Sequence, residues 1–256
     1  MAATPGAACS TRCTRTSARQ PGDYHGFVAT LDVYGFSLSP QQMSQACIWV
    51  SPFLYGDSKT HFYTLWTRDG TIGTGCYNTK CPGFQPEGGA SIVPGAIIDT
   101  VTQIPNGVKQ KLSLKLVKDS VSGDWLLHYG LNKDADELIG CFPKSIFTGL
   151  ADKATAVHFG GAVVAGGGQS LVPMGSGFLP RSSDAASFTN VQLIDPSVQA
   201  SLVTWQLARV MTDSNLYPTT TIAKPSPMGA PHNDILVDPS ILLQNKIIMY
   251  SIVLVV

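Results

Sequence analysis

Between Lys111 and Gly130 the sequence alternates, turns and comes back. Leu112, Leu114 and Leu116 occupy every second position, with Lys111, Ser113 and Lys115 between them. A period of two places all three leucines on one face of an extended strand. Ser120 to Asp124 (SVSGD) is rich in turn formers, and Trp125 to Gly130 (WLLHYG) returns, so the stretch predicts a β-hairpin. The same grammar recurs elsewhere. Phe27, Ala29, Leu31 and Val33 alternate with Val28, Thr30 and Asp32 in a segment covered on both faces. Ala46–Val50, Glu137–Phe142, Ala156–Val164 and Ser187–Ile194 are further strand candidates, and Thr60–Thr67 is one that stops at the turn signal Asp69-Gly70. The one helical candidate is Pro143–Lys153, about three turns at most. Neither an internal repeat nor a βαβ unit is visible. This pattern predicts an all-β fold: an antiparallel β-sandwich of two packed sheets, with at most one or two short helices.

The 256 residues divide into three parts. Residues 24–240 read as one β domain, because nothing inside them resembles a linker; the Gly-rich run at 166–168 is only loop-sized. Residues 1–23 carry Arg12, Arg15 and Arg19, no acid before Asp23, and many Ala, Ser and Thr. They lack the apolar core of a secretory signal. Such a composition is shared by transit peptides, by disordered leaders and by the interior of longer precursors; the expectation adopted is a disordered leader. Residues 241–256 end in an almost wholly apolar run, too short to span a bilayer, which takes about 20 residues. A buried strand and an aggregation-prone tail are the two readings of it.

Lysine plus arginine equals aspartate plus glutamate at 17 each, and only 13% of residues are charged. A balanced, weakly charged chain carries no overall electrostatic footprint for nucleic acid or anionic membrane. Of the six cysteines, Cys76 and Cys81 lie close together among the turn residues Gly75, Pro82 and Gly83. Four intervening residues can bring their Cα atoms within disulfide range, about 4.4–6.8 Å. Half a zinc site is the alternative, but no second Cys/His pair at ligand spacing follows, so a disulfide is expected and no metal or cofactor is implied. A disulfide belongs to an oxidising compartment.

Seven segments occur together in order: Val50–Asp57 (VSPFLYGD), Phe62–Gly70 (FYTLWTRDG), Thr74–Phe84 (TGCYNTKCPGF), Trp125–Gly130 (WLLHYG), Ile139–Pro143 (IGCFP), His158–Gly161 (HFGG) and Met174–Gly177 (MGSG). The ordered set resembles the plant neprosin family of prolyl-cleaving glutamic peptidases, over roughly Tyr24 to Arg209. The resemblance implies a sandwich of two antiparallel sheets, an extracellular location and two glutamates facing one another across a groove. One ionised carboxyl activates water and one protonated carboxyl assists the leaving group, since neighbouring carboxyls push their pKa values apart.

This chain departs from that pattern at both glutamates. Counted back from Val50, the first falls on Gln45; counted from Gly160-Gly161, the second falls on Ala162. Gln45 keeps an acceptor oxygen without a useful pKa, and Ala162 has no functional group. The two glutamates the chain does possess, Glu87 and Glu137, sit in contexts that read as surface turns. Asp57 and Asp69 read as turn formers. Trp49, Tyr63, Trp66 and His158 are the candidates for lining the groove.

Three functions follow from these residues. The first is a pseudopeptidase that has lost both catalytic glutamates and binds Pro-containing peptide. The second is an active proline-directed endopeptidase with a rearranged dyad. The third is a structural or interaction domain with a filled groove, in which Trp49, Trp66 and Cys47 are packing residues and His158 is a hydrogen-bonded sheet residue. Losing one general acid or base costs ~10²–10⁴ in rate, which favours the first and third readings.

Overall fold

The computed structural model describes residues 12–35, 42–46, 59–70, 72–104, 106–165, 175–178, 182–203, 208–211, 219–225, 231–237 and 248–254. In chain order the strands are β1 (Arg12–Tyr24), β2 (Gly26–Gly35), β3 (Gln42–Ala46), β4 (His61–Trp66), β5 (Cys76–Tyr77), β6 (Gln85–Pro86), β7 (Thr102–Gln103), β8 (Gln110–Lys118) and β9 (Trp125–Leu131). There follow β10 (Glu137–Phe142), β11 (Ala154–Ala165), β12 (Ala186–Ile194), β13 (Ala200–Leu202), β14 (Ala208–Met211), β15 (Thr219–Pro225), β16 (Pro231–Val237) and β17 (Ile248–Leu254). They form two sheets. The larger runs β15-β16-β12-β2-β8-β9-β10-β6, with β13 beside β12 and β7 beside β2. The smaller runs β14-β1-β11-β3-β17-β4-β5.

The predicted hairpin is β8–β9. Lys118 faces Trp125 and Leu114 faces Tyr129. Its turn closes through Gly123 N–H donating to the Asp119 carbonyl at 2.9 Å, and Gly123 takes a φ of 79°, where a side chain would be strained. Leu112, Leu114 and Leu116 are buried, and so is Ser113 behind them, its Oγ 3.0 Å from Thr30 Oγ1 on β2.

One core lies between the sheets. Ala29, Leu31 and Val33 of β2, the β8 leucines, Leu127 and Phe188 meet Phe62, Val157, Phe159 and Val163 from the smaller sheet. The aromatic contacts cross the gap. Phe159 stands edge-on to Phe27 at 5.7 Å and to Phe188 at 6.0 Å, and Phe62 meets Tyr129 at 5.5 Å. Such edge-to-face pairs add to the area they bury. The all-β sandwich expected from the sequence is therefore the fold.

Several details differ from expectation. The segment Pro143–Lys153 is not a helix but two 3-10 turns, Lys144–Ile146 and Gly149–Ala151. Phe147 between them is extended (φ −107°, ψ 154°) and buried, and the Leu150 carbonyl accepts the Trp125 Nε1–H at 2.8 Å. Core packing on both sides of Thr148-Gly149, two weak helix formers, breaks the helix. Three 3-10 turns occur among the described residues, and no longer helix.

Of the segment expected to be a disordered leader, residues 1–11 lie outside the described residues, while 12–23 form most of β1, which pairs antiparallel with β11 from Arg12↔Ala165 to Tyr24↔Ala154. A polar strand has no apolar alternation to betray it, while β11, twelve residues long, satisfies its backbone groups. The apolar end supplies β17, an interior strand between β3 and β4 rather than an exposed tail, and it is parallel to both. The sheet is therefore not wholly antiparallel; β7 is also parallel to β2. The Ala46–Val50 candidate overlaps β3 only at Ala46, and residues 47–50 lie outside the described residues.

Candidate functional site

The site is built on the smaller sheet from β11 and its neighbours. Val157, Phe159 and Val163 of β11 belong to the core. Strand side chains alternate, so positions 158, 160 and 162 fall on the opposite, outer face. Antiparallel pairing sets Ala162 opposite Gln45 of β3, and Gly161 opposite Ala46. Residues directly opposite across an antiparallel pair share a face, with Cα atoms about 4.5–5.5 Å apart. Positions 45 and 162, reached by counting along motifs more than a hundred residues apart, are thus cross-strand partners on the outer face.

The row extends both ways. Arg15 of β1 is opposite Ala162, Met249 of β17 is opposite Gln45, and His61 of β4 is opposite Met249. Four residues along, Arg19 is opposite His158. Arg15 and Arg19 were set aside with the leader. No local signal marks them, because Thr14, Thr16 and Ala18 are hardly more apolar than Cys13, Arg15, Ser17 and Arg19 between them.

The β4 end of this face is closed. His61 is 4% exposed, and its Nδ1–H donates to the Gly95 carbonyl at 3.0 Å. Tyr63 is 2% exposed and stacks on Tyr77 at 6.1 Å. Tyr77 is fixed by the Cys76–Cys81 disulfide, Cα–Cα 6.4 Å, as expected from the spacing. The next residue, Asn78, folds back: its Oδ1 accepts the Thr64 N–H at 3.0 Å, and its own N–H donates to the Thr64 carbonyl at 2.7 Å. Trp66 lies on the inner face of β4, 6% exposed and edge-on to Phe147 at 6.2 Å. A Cβ at Gly83 would collide with the Trp66 indole, so only glycine fits there. Trp66 is a packing residue in this fold. Trp49, Cys47 and Asp57 lie outside the described residues, and His158 is placed by its backbone alone.

The two glutamates are elsewhere. Glu137 opens β10 of the larger sheet, where its carboxylate accepts Ser91 N–H at 2.6 Å and Ser91 Oγ–H at 2.8 Å. Those bonds, with Lys133 at 3.8 Å, hold its pKa below the ordinary glutamate value. It is a strand residue tying down a loop, not a turn residue. Glu87 follows β6 and is exposed, its N–H donating to the Ile139 carbonyl at 3.0 Å. Asp69 is a turn acceptor for Thr74 Oγ1–H at 2.7 Å.

A second polar cluster escaped the sequence reading. Asp32, 5% exposed, accepts from Ser187 N–H at 3.1 Å, Ser187 Oγ–H at 3.0 Å and Tyr34 O–H at 3.3 Å, with Lys109 Nζ at 3.8 Å. Burial first, then Asp32, pushes the Tyr34 phenol far above its ordinary pKa, although Ser176 hydrogen-bonds it in the opposing sense. Alternation on β2 placed Asp32 in a strand covered on both faces but did not show the partners that hold its carboxylate there.

Among the described residues no three His, Cys, Asp or Glu side chains come close enough to hold a metal ion, and no helix is long and apolar enough to cross a membrane. The family model named Neprosin matches residues 31–231, which run from the middle of β2 to the first residue of β16 and include both positions of the outer-face pair. The chain belongs to the neprosin family.

Proposed function

We propose that this chain is a pseudopeptidase of its family, which binds Pro-containing peptide on the outer face of the smaller sheet without cleaving it. The observation that carries this reading is the pairing of Ala162 with Gln45 across β11 and β3. A glutamic dyad needs two carboxyls side by side, one charged and one neutral. The residues at this pair are an alanine and an amide, and neither exchanges a proton near neutral or acidic pH. Glu137 opens β10 of the other sheet and Glu87 lies just past β6 beside it, which argues against a rearranged dyad.

The filled-groove reading draws on one observation of its own: His61 and Tyr63, at the β4 end of the same face, are buried. Two measurements on the purified full chain separate the readings. Mass spectrometry of a Pro-containing peptide incubated at acidic pH should show the peptide intact. Fluorescence anisotropy with the labelled peptide should show saturable binding. Cleavage would replace the pseudopeptidase reading with the active one. An intact peptide that does not bind would leave only the structural domain.

A further inference from the structure

Charge on the strands of the smaller sheet is one-sided. The chain as a whole is neutral, yet the seven strands of the smaller sheet contain a single acidic residue, Asp23 at the end of β1. That carboxylate is already engaged, 2.7 Å from Lys153 Nζ. The same strands carry Arg12, Arg15, Arg19, Arg209, His61 and His158. Register sorts these between the two faces. Arg15 is opposite Ala162 and Arg19 is opposite His158, so both arginines take positions on the outer face. Arg209 is opposite Ala18 and takes the other. Where a glutamic peptidase needs two carboxyls, this chain has none at the pair; Arg15 stands directly opposite Ala162 on the adjoining strand, and Arg19 lies four residues to one side.

We propose that this face takes an extended acidic peptide, with Arg15 and Arg19 as the residues that select it. The inference rests on the peptide-binding reading above and adds the charge of the ligand. Arg15 and Arg19 are four residues apart on one strand face, about 13 Å at 3.3 Å per residue. One small anion cannot span that distance. An extended peptide with carboxylates at positions i and i+4 repeats it, because it has the same rise per residue. His61 and Tyr63 are buried at the β4 end, so the peptide lies over β1, β11 and β3. A guanidinium keeps its charge at any working pH and pairs with a carboxylate through two parallel hydrogen bonds.

The test uses the full chain and two labelled peptides, each with proline at its centre. One has aspartate two residues to either side; the other has asparagine in both places. Two added charge pairs predict that the aspartate peptide binds roughly tenfold more tightly at low salt, the gap closing as salt is raised. Arg15→Gln with Arg19→Gln should remove the difference between the peptides, and Arg15→Lys with Arg19→Lys should keep it. The lysine variant guards against misfolding, since it preserves charge and strand geometry alike. Equal affinity for the two peptides, or a preference that survives the glutamine variant, overturns this proposal and leaves peptide binding standing. Failure to bind either peptide overturns both.

Discussion

The two sheets of this sandwich are assembled on different plans. In the larger sheet, β8, β9 and β10 follow one another as hairpins, as do β12 with β13 and β15 with β16. In the smaller sheet only β4 and β5 are consecutive in sequence; every other neighbour comes from a distant part of the chain. The larger sheet carries Glu137 and the Asp32 cluster, whereas the strands of the smaller contain one acid. Local pairing builds a scaffold early and at low entropic cost, while long-range pairing needs most of the chain in place. The candidate site therefore sits on the part of the molecule that the whole chain has to complete.

The most forceful way to break this comparison is to ask whether the sheets unfold apart. Phe159 of β11 and Trp125 of β9 are 3% and 1% exposed on either side of one core. Phe159→Ala and Trp125→Ala should each cost ~3–5 kcal/mol, in a single denaturant transition. A Phe159→Ala protein that loses hydrogen-exchange protection in β1 and β11, while β8–β9 amides stay protected, would make the sheets separate units.

The same contrast governs what could be read in advance. The leucines of β8 and the return through Trp125 carry their pairing in local alternation, and the structure agrees to within a residue or two. β1 was missed because Arg, Ser and Thr form a strand only when another strand waits for them, and β11 begins 130 residues after Tyr24. β17 was only half seen: apolarity marked it as buried, but nothing local shows that it lies between β3 and β4. Gln45 and Ala162 were legible only through the motifs beside them. Their pairing is a property of register, which single positions do not encode. The helix assigned to 143–153 failed because Phe147 and Leu150 are drawn into the core.

A smaller effect sharpens the description of the larger sheet. Asp32→Ala removes an acceptor from Ser187, Tyr34 and Lys109 at once. A loss of ~2–3 kcal/mol in chemical denaturation is expected, as for hydrogen bonds to a buried charged group. No measurable loss would mean that Asp32 does not pin β12 to β2.

The disulfide should matter less. Replacing Cys76 and Cys81 with serine opens a loop so small that the entropic model allows only about 2 kcal/mol. The change should be local, in the amides of Tyr77, Asn78 and Thr64, and free thiols at both positions in a non-reduced digest would remove the bond from the account.

The smallest effect is a pH dependence. Desolvation, then Lys115, lowers the pKa of His128 on β9. The unfolded chain therefore takes the proton more readily than the folded one. Stability from this group is complete above the ordinary histidine pKa of about 6.5 and is lost as pH falls below it. His128→Gln should flatten the fall of Tm between neutral and acidic pH. An unchanged slope would show that His128 titrates normally.

The account turns on the pair at 45 and 162, and one peptide-cleavage assay across acidic pH addresses it with two proteins side by side. The unmodified chain should release no product from a Pro-containing peptide. Gln45→Glu combined with Ala162→Glu restores two carboxyls as cross-strand neighbours and should give turnover with an acidic optimum, where Gln45→Glu alone gives little. Clear proline-directed cleavage by the unmodified chain, undiminished when Glu87 and Glu137 are replaced by glutamine, would contradict the account outright.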